Sequence, residues 1–453
     1  MRIGRTTIVL LLAALLLVVV GCSGGTTTTT TAAGGETTAS AAPETSTTSA
    51  PDLSGQTMEV AAVWSGAEQD NFQKVIDAFQ EQTGVKVTYT STGDQIATIL
   101  GTRLQGGSPP DVAVLPQPGL MYSLADQGAL QPLTDVIGME MDANFAPVWK
   151  DLGTHEGTQY GLVFKAANKS TFWYNMGVFS DAGVTPPTTW DELLAAADTI
   201  QRFGVPPFSV AGADGWTLTD WFENVYLRTA GGEKYDQLTT LEIPWTDPSV
   251  TTALEQLAKI WGSDAMLSGG ATGALQTDFP TSVVNAFTTP PKAAMVYEGD
   301  FVAGVIGSET QATLGTGADF FDFPSINGSP ASVVGGGDMA VLMKDSDAGK
   351  AFMKFLATPE AATIWAALGG FSSPNKNVDP SVYPDDITRR AATALATAEV
   401  VRFDMSDLEP PAFGGTPGKG EWKLLQDFLS NSSDISGIQK QLQDAAAAAA
   451  SGS

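Results

Sequence analysis

Aromatic residues stand close to carboxylates and amides at several points in this chain, a pairing suited to holding a neutral, hydroxyl-rich molecule. An aromatic ring stacks on an apolar face, while carboxylates and amides form hydrogen bonds around the rim. A cleft lined in this way buries a ligand and orients it with a few polar groups. The residues selected on this pattern are Trp64, Ser65, Glu68, Gln117, Trp216, Trp221, Glu223, Asn224, Glu298, Phe301, Gly337 and Asp338.

The residue types that most catalytic and metal sites require are scarce. The chain has one His and one Cys, which excludes most zinc sites, disulfide frameworks, His-based triads and cysteine proteases. No Walker A motif occurs, and we predict no catalytic residue, metal or other cofactor. A net charge of −27 argues against nucleic-acid partners, because binding them requires cations that neutralise phosphates.

Alternating strand and helix patterns place the first of these residues at strand ends. Apolar residues alternate over 58–64, recur with helical spacing over 72–79 and alternate again over 85–89. A second helical pattern then leads to an apolar run at 111–115. This β-α-β-α-β order predicts an α/β fold with a parallel sheet, in which ligands bind beyond the carboxyl ends of strands. Because 453 residues exceed what one core usually supports, we expect two lobes.

The beginning of the chain resembles an export signal that ends in a lipidation site. Two arginines precede an uncharged apolar run at 8–20, which is shorter than the ~20 residues of a membrane span. The run ends in Val19-Val20-Gly21-Cys22, which resembles the bacterial lipobox. We therefore predict a signal peptide at 1–21 and acylation of Cys22. The Thr/Ser-rich stretch 22–55 is too polar to form a core and is predicted to be a tether.

Several short segments, taken in order, resemble the extracellular solute-binding lipoproteins of ABC importers. The resemblance is to the sugar-binding branch related to maltose-binding proteins, and especially to the α-glucoside binders. It extends from about residue 56 to about residue 442. The segments are 63–68 (VWSGAE), 79–85 (FQEQTGV), 109–113 (PPDVA), 173–175 (WYN), 189–193 (TWDEL), 335–338 (GGGD) and 369–376 (GGFSSPNK).

The resemblance implies two α/β lobes joined by a hinge that the chain crosses more than once, with a carbohydrate held in the cleft between them. The first lobe would comprise 56–168 and 324–368, and the second, more helical lobe 169–323 and 369–453. We expect a monomer that its lipid anchors to the extracytoplasmic face of the cell membrane. It would deliver an α-glucoside or a short oligosaccharide to the permease subunits of an ABC importer.

The resemblance also implies a set of ligand contacts, which overlaps the residues selected above. Where the family often has Trp, this chain has Phe301, so ring stacking would involve a smaller area. The segment 404–407 reaches the cleft in relatives and adds two acids. The implied contacts are Glu68, Gln117, Lys165, Asn168, Trp221, Phe301, Asp338, Asp404 and Asp407.

Three other functions remain compatible with the residues. The 50 acids supply many carboxylate pairs, so a surface glycoside hydrolase stays open. The same fold could bind another solute such as a polyamine, because the chain has acids and aromatic residues together. A structural surface lipoprotein would bind no small molecule. Turnover of maltose or trehalose would favour the enzyme, and saturable binding without turnover would favour a carrier.

Overall fold

Two main β-sheets organise the part of the chain that the computed structural model describes, residues 53–396 and 398–451. The predicted signal peptide, Cys22 and the tether up to residue 52 lie outside the described residues. The strands are β1 (Thr57–Ala62), β2 (Lys86–Ser91), β3 (Val112–Leu115), β4 (Thr154–His155), β5 (Thr158–Gln159), β6 (Gly161–Asn168), β7 (Thr171–Asn175), β8 (Phe208–Ser209), β9 (Met295–Glu298), β10 (Ala318–Asp322), β11 (Ser332–Leu342) and β12 (Val400–Phe403).

Helices cover both sheets and dominate the second half of the chain. Short 3-10 turns accompany them at 93–95, 264–266, 380–382 and 394–396. The α-helices are α1 (Gly66–Thr83), α2 (Ile96–Gln105), α3 (Pro118–Asp126), α4 (Thr134–Asn144), α5 (Pro147–Leu152), α6 (Met176–Ala182), α7 (Trp190–Phe203), α8 (Trp216–Ala230), α9 (Gly232–Thr239), α10 (Pro248–Trp261), α11 (Gly270–Ala274), α12 (Phe279–Phe287), α13 (Val302–Glu309), α14 (Asp347–Leu356), α15 (Pro359–Ala366), α16 (Asp386–Thr393), α17 (Met405–Leu408), α18 (Pro411–Gly414), α19 (Gly420–Ser430) and α20 (Ile435–Ala450).

The first sheet has the strand order β12-β11-β3-β1-β2, and β6 also pairs with β11. Strand β1 runs parallel to β2 and β3, which confirms the predicted β-α-β-α-β unit. The long strand β11 is antiparallel to β3 and β6. The carboxyl ends of β1 and β3 lead directly into Trp64 and Gln117, so the sheet brings two of the selected residues to one edge.

The second sheet has the order β10-β7-β9-β8 and carries a separate hydrophobic core. The chain passes from the first sheet to the second between Asn168, the end of β6, and Thr171, the start of β7. It returns between Asp322 of β10 and Ser332 of β11. Both passages lie at or near the predicted lobe borders.

Local sequence accounts for the helices α1 and α7. In α1 the apolar residues Phe72, Val75, Ile76 and Phe79 are buried on one face. The helix ends at Gly84, whose φ of 73° is a left-handed conformation that glycine adopts without strain. The predicted capping box of α7 is confirmed, because Thr189 accepts from the Glu192 N–H and the Glu192 carboxylate accepts from the Thr189 N–H.

The C-terminal part of the chain departs from the predicted division into lobes, which assigns all of 369–453 to the second lobe. Phe371, Val378 and Tyr383 pack into the core of the first sheet, and β12 pairs with β11 of that sheet. From α17 onward the buried apolar residues join the core of the second sheet. The chain therefore crosses again after residue 368, because these apolar side chains find their packing partners in the first lobe.

A helix long and apolar enough to cross a bilayer is not found within 53–396 and 398–451.

The capping box generates a stability prediction. Replacing Thr189 by Ala removes the acceptor for the Glu192 N–H and should lower the free energy of unfolding by about 1 kcal/mol in urea titrations. Thr199→Ala is the control, because the Thr199 hydroxyl bonds only to the Ala195 carbonyl within the same helix. Equal losses in the two variants would contradict a capping role.

Candidate functional site

A cavity of about 370 Å³ opens beyond the carboxyl ends of β1 and β3, bounded on the other side by residues of the second lobe. Its size falls at the lower end of the roughly 300–1,000 Å³ typical of small-molecule sites. The selected or implied residues that line it are Trp64, Ser65, Glu68, Gln117, Lys165, Trp216, Phe301, Gly337, Asp338 and Asp407. Residues selected from the sequence pattern and residues implied by the resemblance therefore line the same cavity.

The first lobe supplies a polar wall built around Lys165. Its ammonium nitrogen lies 2.8 Å from a Glu68 oxygen and 3.7 Å from an Asp338 oxygen. Lys165 of β6 and Asp338 of β11 are paired residues in the sheet, next to an irregularity in the register. Burial would lower the pKa of Lys165, but Glu68 and Asp338 outweigh burial, and its pKa is raised. Lys165 therefore stays charged, and both carboxylates still have oxygens for ligand hydroxyls.

Trp64 lies at the edge of the cavity and orients this wall through its indole N–H. Its indole N–H donates to Asp338 Oδ2 at 2.9 Å. The ring is 2% exposed and packs edge-on against Phe72 and Trp365. At 2% exposure Trp64 offers a ligand little ring surface, and the expectation that it is a stacking platform is corrected for this reason.

Gly337 lines the cavity at the strand position before Asp338. A Cβ added there would lie 2.8 Å from Val163 Cγ1. At the two preceding positions a Cβ would lie 3.0 Å from Leu395 and 2.7 Å from Lys169 Cε. The glycines at 335–337 thus let β11 pass close to Leu395, Lys169 and Val163.

The second lobe supplies an aromatic wall of Trp216, Phe279 and Phe301. Trp216 is half-buried, and its ring centroid lies 5.6 Å from that of Phe279 and 6.1 Å from that of Phe301. Phe279 and Phe301 meet edge to face at 5.2 Å. Lys165 Nζ lies 4.9 Å from the Phe301 centroid, so the polar and aromatic walls touch.

Trp221 belongs to the core and not to the cavity. It is 1% exposed and lies among Phe172, Tyr297 and Trp261. Trp216 and Trp221 are five residues apart on α8, which places them about 140° apart around the helix axis. Only one of them can face the cleft, and the prediction that Trp221 contacts a ligand is therefore corrected.

A buried charge network lies behind the walls and is centred on Lys169. Its ammonium contacts Asp220 at 3.2 Å, Asp404 at 2.5 Å and Asp407 at 3.6 Å. Burial would lower the pKa of Lys169, but the three acids raise it well above its usual range. Burial also opposes ionisation of Asp404, but Lys169 holds its pKa at about 2. Lys169 and Asp407 still reach the cavity, and Asp404 does not.

Five expected contacts lie in or beside this network rather than on the cavity wall. Glu223 accepts from the N–H groups of Met405 and Ser406 at 2.7 and 2.9 Å, and Asn224 donates to the Lys169 carbonyl at 2.8 Å. These bonds fix the α8 side of the network. The prediction that these residues contact a ligand directly is therefore corrected: they support the residues that do. The five residues are Asn168, Glu223, Asn224, Glu298 and Asp404.

Several cavity residues were not selected from the sequence. Phe279 follows Asp278 at the start of α12. This is the same pairing of an acid with an aromatic residue on which the other candidates were selected, so the sequence pattern could have identified Phe279. Asp94 and Asp214 also line the cavity. Burial raises the pKa of Asp94 to about 7, and Asp214 adds to the shift. The acids around the cavity outnumber Lys165 and Lys169, which disfavours an anionic ligand.

Within the described ranges, no group of three or more His, Cys, Asp or Glu side chains is arranged to hold a metal ion.

Comparison with known proteins gives consistent matches. A family profile described as bacterial extracellular solute-binding protein matches residues 64–363. The alpha-glucosides-binding periplasmic protein AglE of Rhizobium meliloti (strain 1021) is 37% identical over 86% of this chain and 87% of its own length. The osmoprotective compounds-binding protein GgtB of Synechocystis sp. is 35% identical over 83% and 90%. The solved structure of the bacterial solute receptor AcbH gives a TM-score of 0.75 at 23% identity, covering 86% of this chain and 98% of that one.

The buried acids predict how stability depends on pH. Burial raises the pKa of Glu298 to about 8. Burial is also the main cause that raises the pKa values of Asp220, Glu223 and Asp407. Groups with raised folded-state pKa values stabilise the fold below their unfolded pKa near 4, and this contribution is lost as the pH rises through the folded value. The free energy of unfolding should therefore fall between pH 5 and pH 8.5.

Glu298→Gln tests this assignment, because the amide resembles the protonated acid. Each proton that only the folded state retains steepens the fall by ~1.4 kcal/mol per pH unit. Urea titrations across the pH range should give a shallower slope for Glu298→Gln than for the wild type. The exposed Glu255, replaced by Gln, is the control and should leave the slope unchanged. A wild-type stability that rises over this range would contradict the prediction.

Proposed function

Because this chain belongs to the family of bacterial extracellular solute-binding proteins, we propose that it captures a neutral carbohydrate in its cleft for an ABC importer. The ligand is an α-glucoside or a short oligosaccharide. The single observation that carries this proposal is that two unlike walls, one polar and one aromatic, line the same cavity of about 370 Å³. A pyranose has hydroxyls around its rim and apolar C–H faces, and it needs both walls.

The polar wall suits hydroxyl groups in particular. Lys165 occupies one side of Glu68 and of Asp338, which fixes the direction of the remaining carboxylate oxygens. Bonds from ligand hydroxyls to these charged oxygens are stronger than bonds between neutral groups. The aromatic wall would receive the C–H face of the same ring. Support for the sugar class comes also from the relatives, since AglE is named for binding alpha-glucosides.

The proposal extends to delivery and location. Lobes of this type close around a ligand by hinge motion, and we propose that the closed form presents the sugar to permease subunits. We further propose that an acylated Cys22 and the polar tether hold the protein as a monomer at the extracytoplasmic face of the membrane. More than one acyl group would give stable anchoring, whereas a single chain gives only marginal binding.

We propose binding without turnover. The relatives named by function are binding proteins. Glu68 and Asp338, the carboxylates of the polar wall, contact the Lys165 ammonium, and Asp338 accepts from the Trp64 N–H; these partners suit both to accepting hydrogen bonds rather than to donating a proton. Chromatography of maltose or trehalose after long incubation should show no product, and release of glucose would support a glycoside hydrolase instead.

A polyamine is the second candidate ligand, because Asp94, Asp214 and Asp338 line the cavity together with aromatic rings. Two features oppose it. Lys165 and Lys169 reach the cavity wall, and both keep raised pKa values and hence their positive charge. An extended dication would meet these ammonium groups at the cavity wall.

Calorimetry of the full-length protein against a ligand panel tests the function. We expect saturable binding of at least one of maltose, trehalose and sucrose, and no binding of glucuronate, whose charge the cavity acids repel. Spermidine and putrescine are included to test the second candidate. Thermal shift gives an independent readout, since a ligand at 100 times its Kd adds ~2.7 kcal/mol to stability. Binding of spermidine without binding of any sugar would overturn the proposal.

Variants of the two walls test the site. Asp338→Asn and Trp216→Ala should each weaken binding of the sugar found by that panel at least tenfold, through loss of a charged acceptor and of a stacking face respectively. The control is Asp345→Asn, an exposed acid paired with Lys350 outside the cavity. Unchanged affinity in both wall variants, with unchanged melting temperatures, would contradict this placement of the site.

A further inference from the structure

Three segments meet where the two lobes join, at Asn168, Asp300 and Ser372; we name this junction the seam. Asp300 Oδ2 accepts from the Asn168 backbone N–H at 3.2 Å and also from the Ser372 hydroxyl. The Asp300 N–H donates in turn to the Asn168 carbonyl at 3.0 Å. All three residues are almost completely buried. One carboxylate oxygen thus joins two separate passages of the chain.

The bond between Asp300 and Ser372 links the two lobes. Asp300 follows β9 of the second sheet. Ser372 accepts from the Ala166 N–H of β6 in the first sheet at 2.8 Å, and its neighbour Phe371 lies in the first core. The bond therefore runs from a second-lobe turn to a first-lobe segment.

The backbones approach closely beside this bond. A Cβ added at Gly370 would lie 3.1 Å from Gly304 Cα, so α13 of the second lobe rests almost directly on the chain before Phe371. Gly370 also has a φ of 63°, a conformation that glycine adopts readily. The contact is tight enough that a shift of one lobe must move the Asp300 turn.

The same turn carries part of the aromatic wall. Phe301 follows Asp300 directly, and its ring meets Phe279 at 5.2 Å and lies over Lys165 Nζ at 4.9 Å. A residue that fixes the turn at the seam therefore also fixes the face offered to a ligand.

We propose that Asp300 is a positioning residue that sets the equilibrium between lobe arrangements, holding the lobes as they are in this structure and Phe301 in the cavity wall. Its carboxylate receives a backbone N–H from the first passage and a hydroxyl from the later one, and hydrogen bonds to a charged group are the stronger kind. Loss of either donor frees one passage. This inference concerns the lobes themselves and holds whichever solute the cleft binds.

The test measures the distance between lobes without any ligand. Fluorophores are placed at Asp77→Cys on α1 and Glu255→Cys on α10, both exposed positions, in the full chain carrying Cys22→Ser. Single-molecule energy transfer then gives the distance distribution. In each variant we compare the number of molecules at the wild-type distance with the number at longer distances. Asp300→Asn should lower this population ratio at least fivefold relative to the wild type. Ser372→Ala removes one donor only, and the same ratio should fall by a smaller factor.

Asp111→Asn is the matched control. Asp111 is also a buried acid that accepts from a backbone N–H, that of Glu59, and from a hydroxyl, that of Ser346, but all three lie in the first lobe. Its replacement should lower the melting temperature without moving the distance distribution. Distributions that stay at the wild-type distance in folded Asp300→Asn and Ser372→Ala would overturn the proposal. A shift equal to that of Asp111→Asn would overturn it too, since it would reflect general destabilisation.

Discussion

The burial of two ammonium groups on one stretch of chain is the constraint on which the site depends. Lys165 lies within β6 and Lys169 just beyond its end, where the chain leaves the first sheet. A buried charge without a partner is very costly, and removing one partner of a buried ion pair typically costs ~3–5 kcal/mol. Lys165 therefore draws Glu68 and Asp338 together, while Lys169 draws in acids from α8 and from α17 with its cap. The polar side of the cleft follows from these two requirements.

The two lobes contribute different chemistry to the cleft. The first presents carboxylates and an ammonium on sheet strands and on the first turn of α1, and the second presents rings at the starts of α8, α12 and α13. Trp64 illustrates the division, because its N–H serves the polar wall while its ring serves the first core. Neither lobe alone encloses a ligand. Binding and the relative position of the lobes are for this reason linked, and Asp300 stands at the point where they meet.

Local patterns in the sequence predicted the strands and helices well, but they predicted less well the contacts between residues far apart in the chain. The alternation at 58–64 and the helical spacing at 72–79 depend on near neighbours, so β1 and α1 were predictable. The bond from Lys169 to Asp404 joins residues 235 positions apart, and no spacing rule indicates it. The prediction for Trp221 was wrong for a related reason. Its polar neighbours in the sequence suggested a place in the cleft, but its position around the α8 axis relative to Trp216 buries it in the core. Phe371 packs in the core of the first sheet and β12 pairs with β11. Both contacts join residues far apart in the chain, so local patterns did not indicate them.

The glycines at 335–337 have a consequence for how proteins of this design can diversify. Side chains added there would press against Leu395, Lys169 or Val163, so this part of β11 tolerates substitution poorly. New ligand preferences would then arise by exchange of rings on the opposite lobe, at Trp216, Phe279 or Phe301. A laboratory library aimed at a new specificity should be built on those three positions, with β11 left as it is.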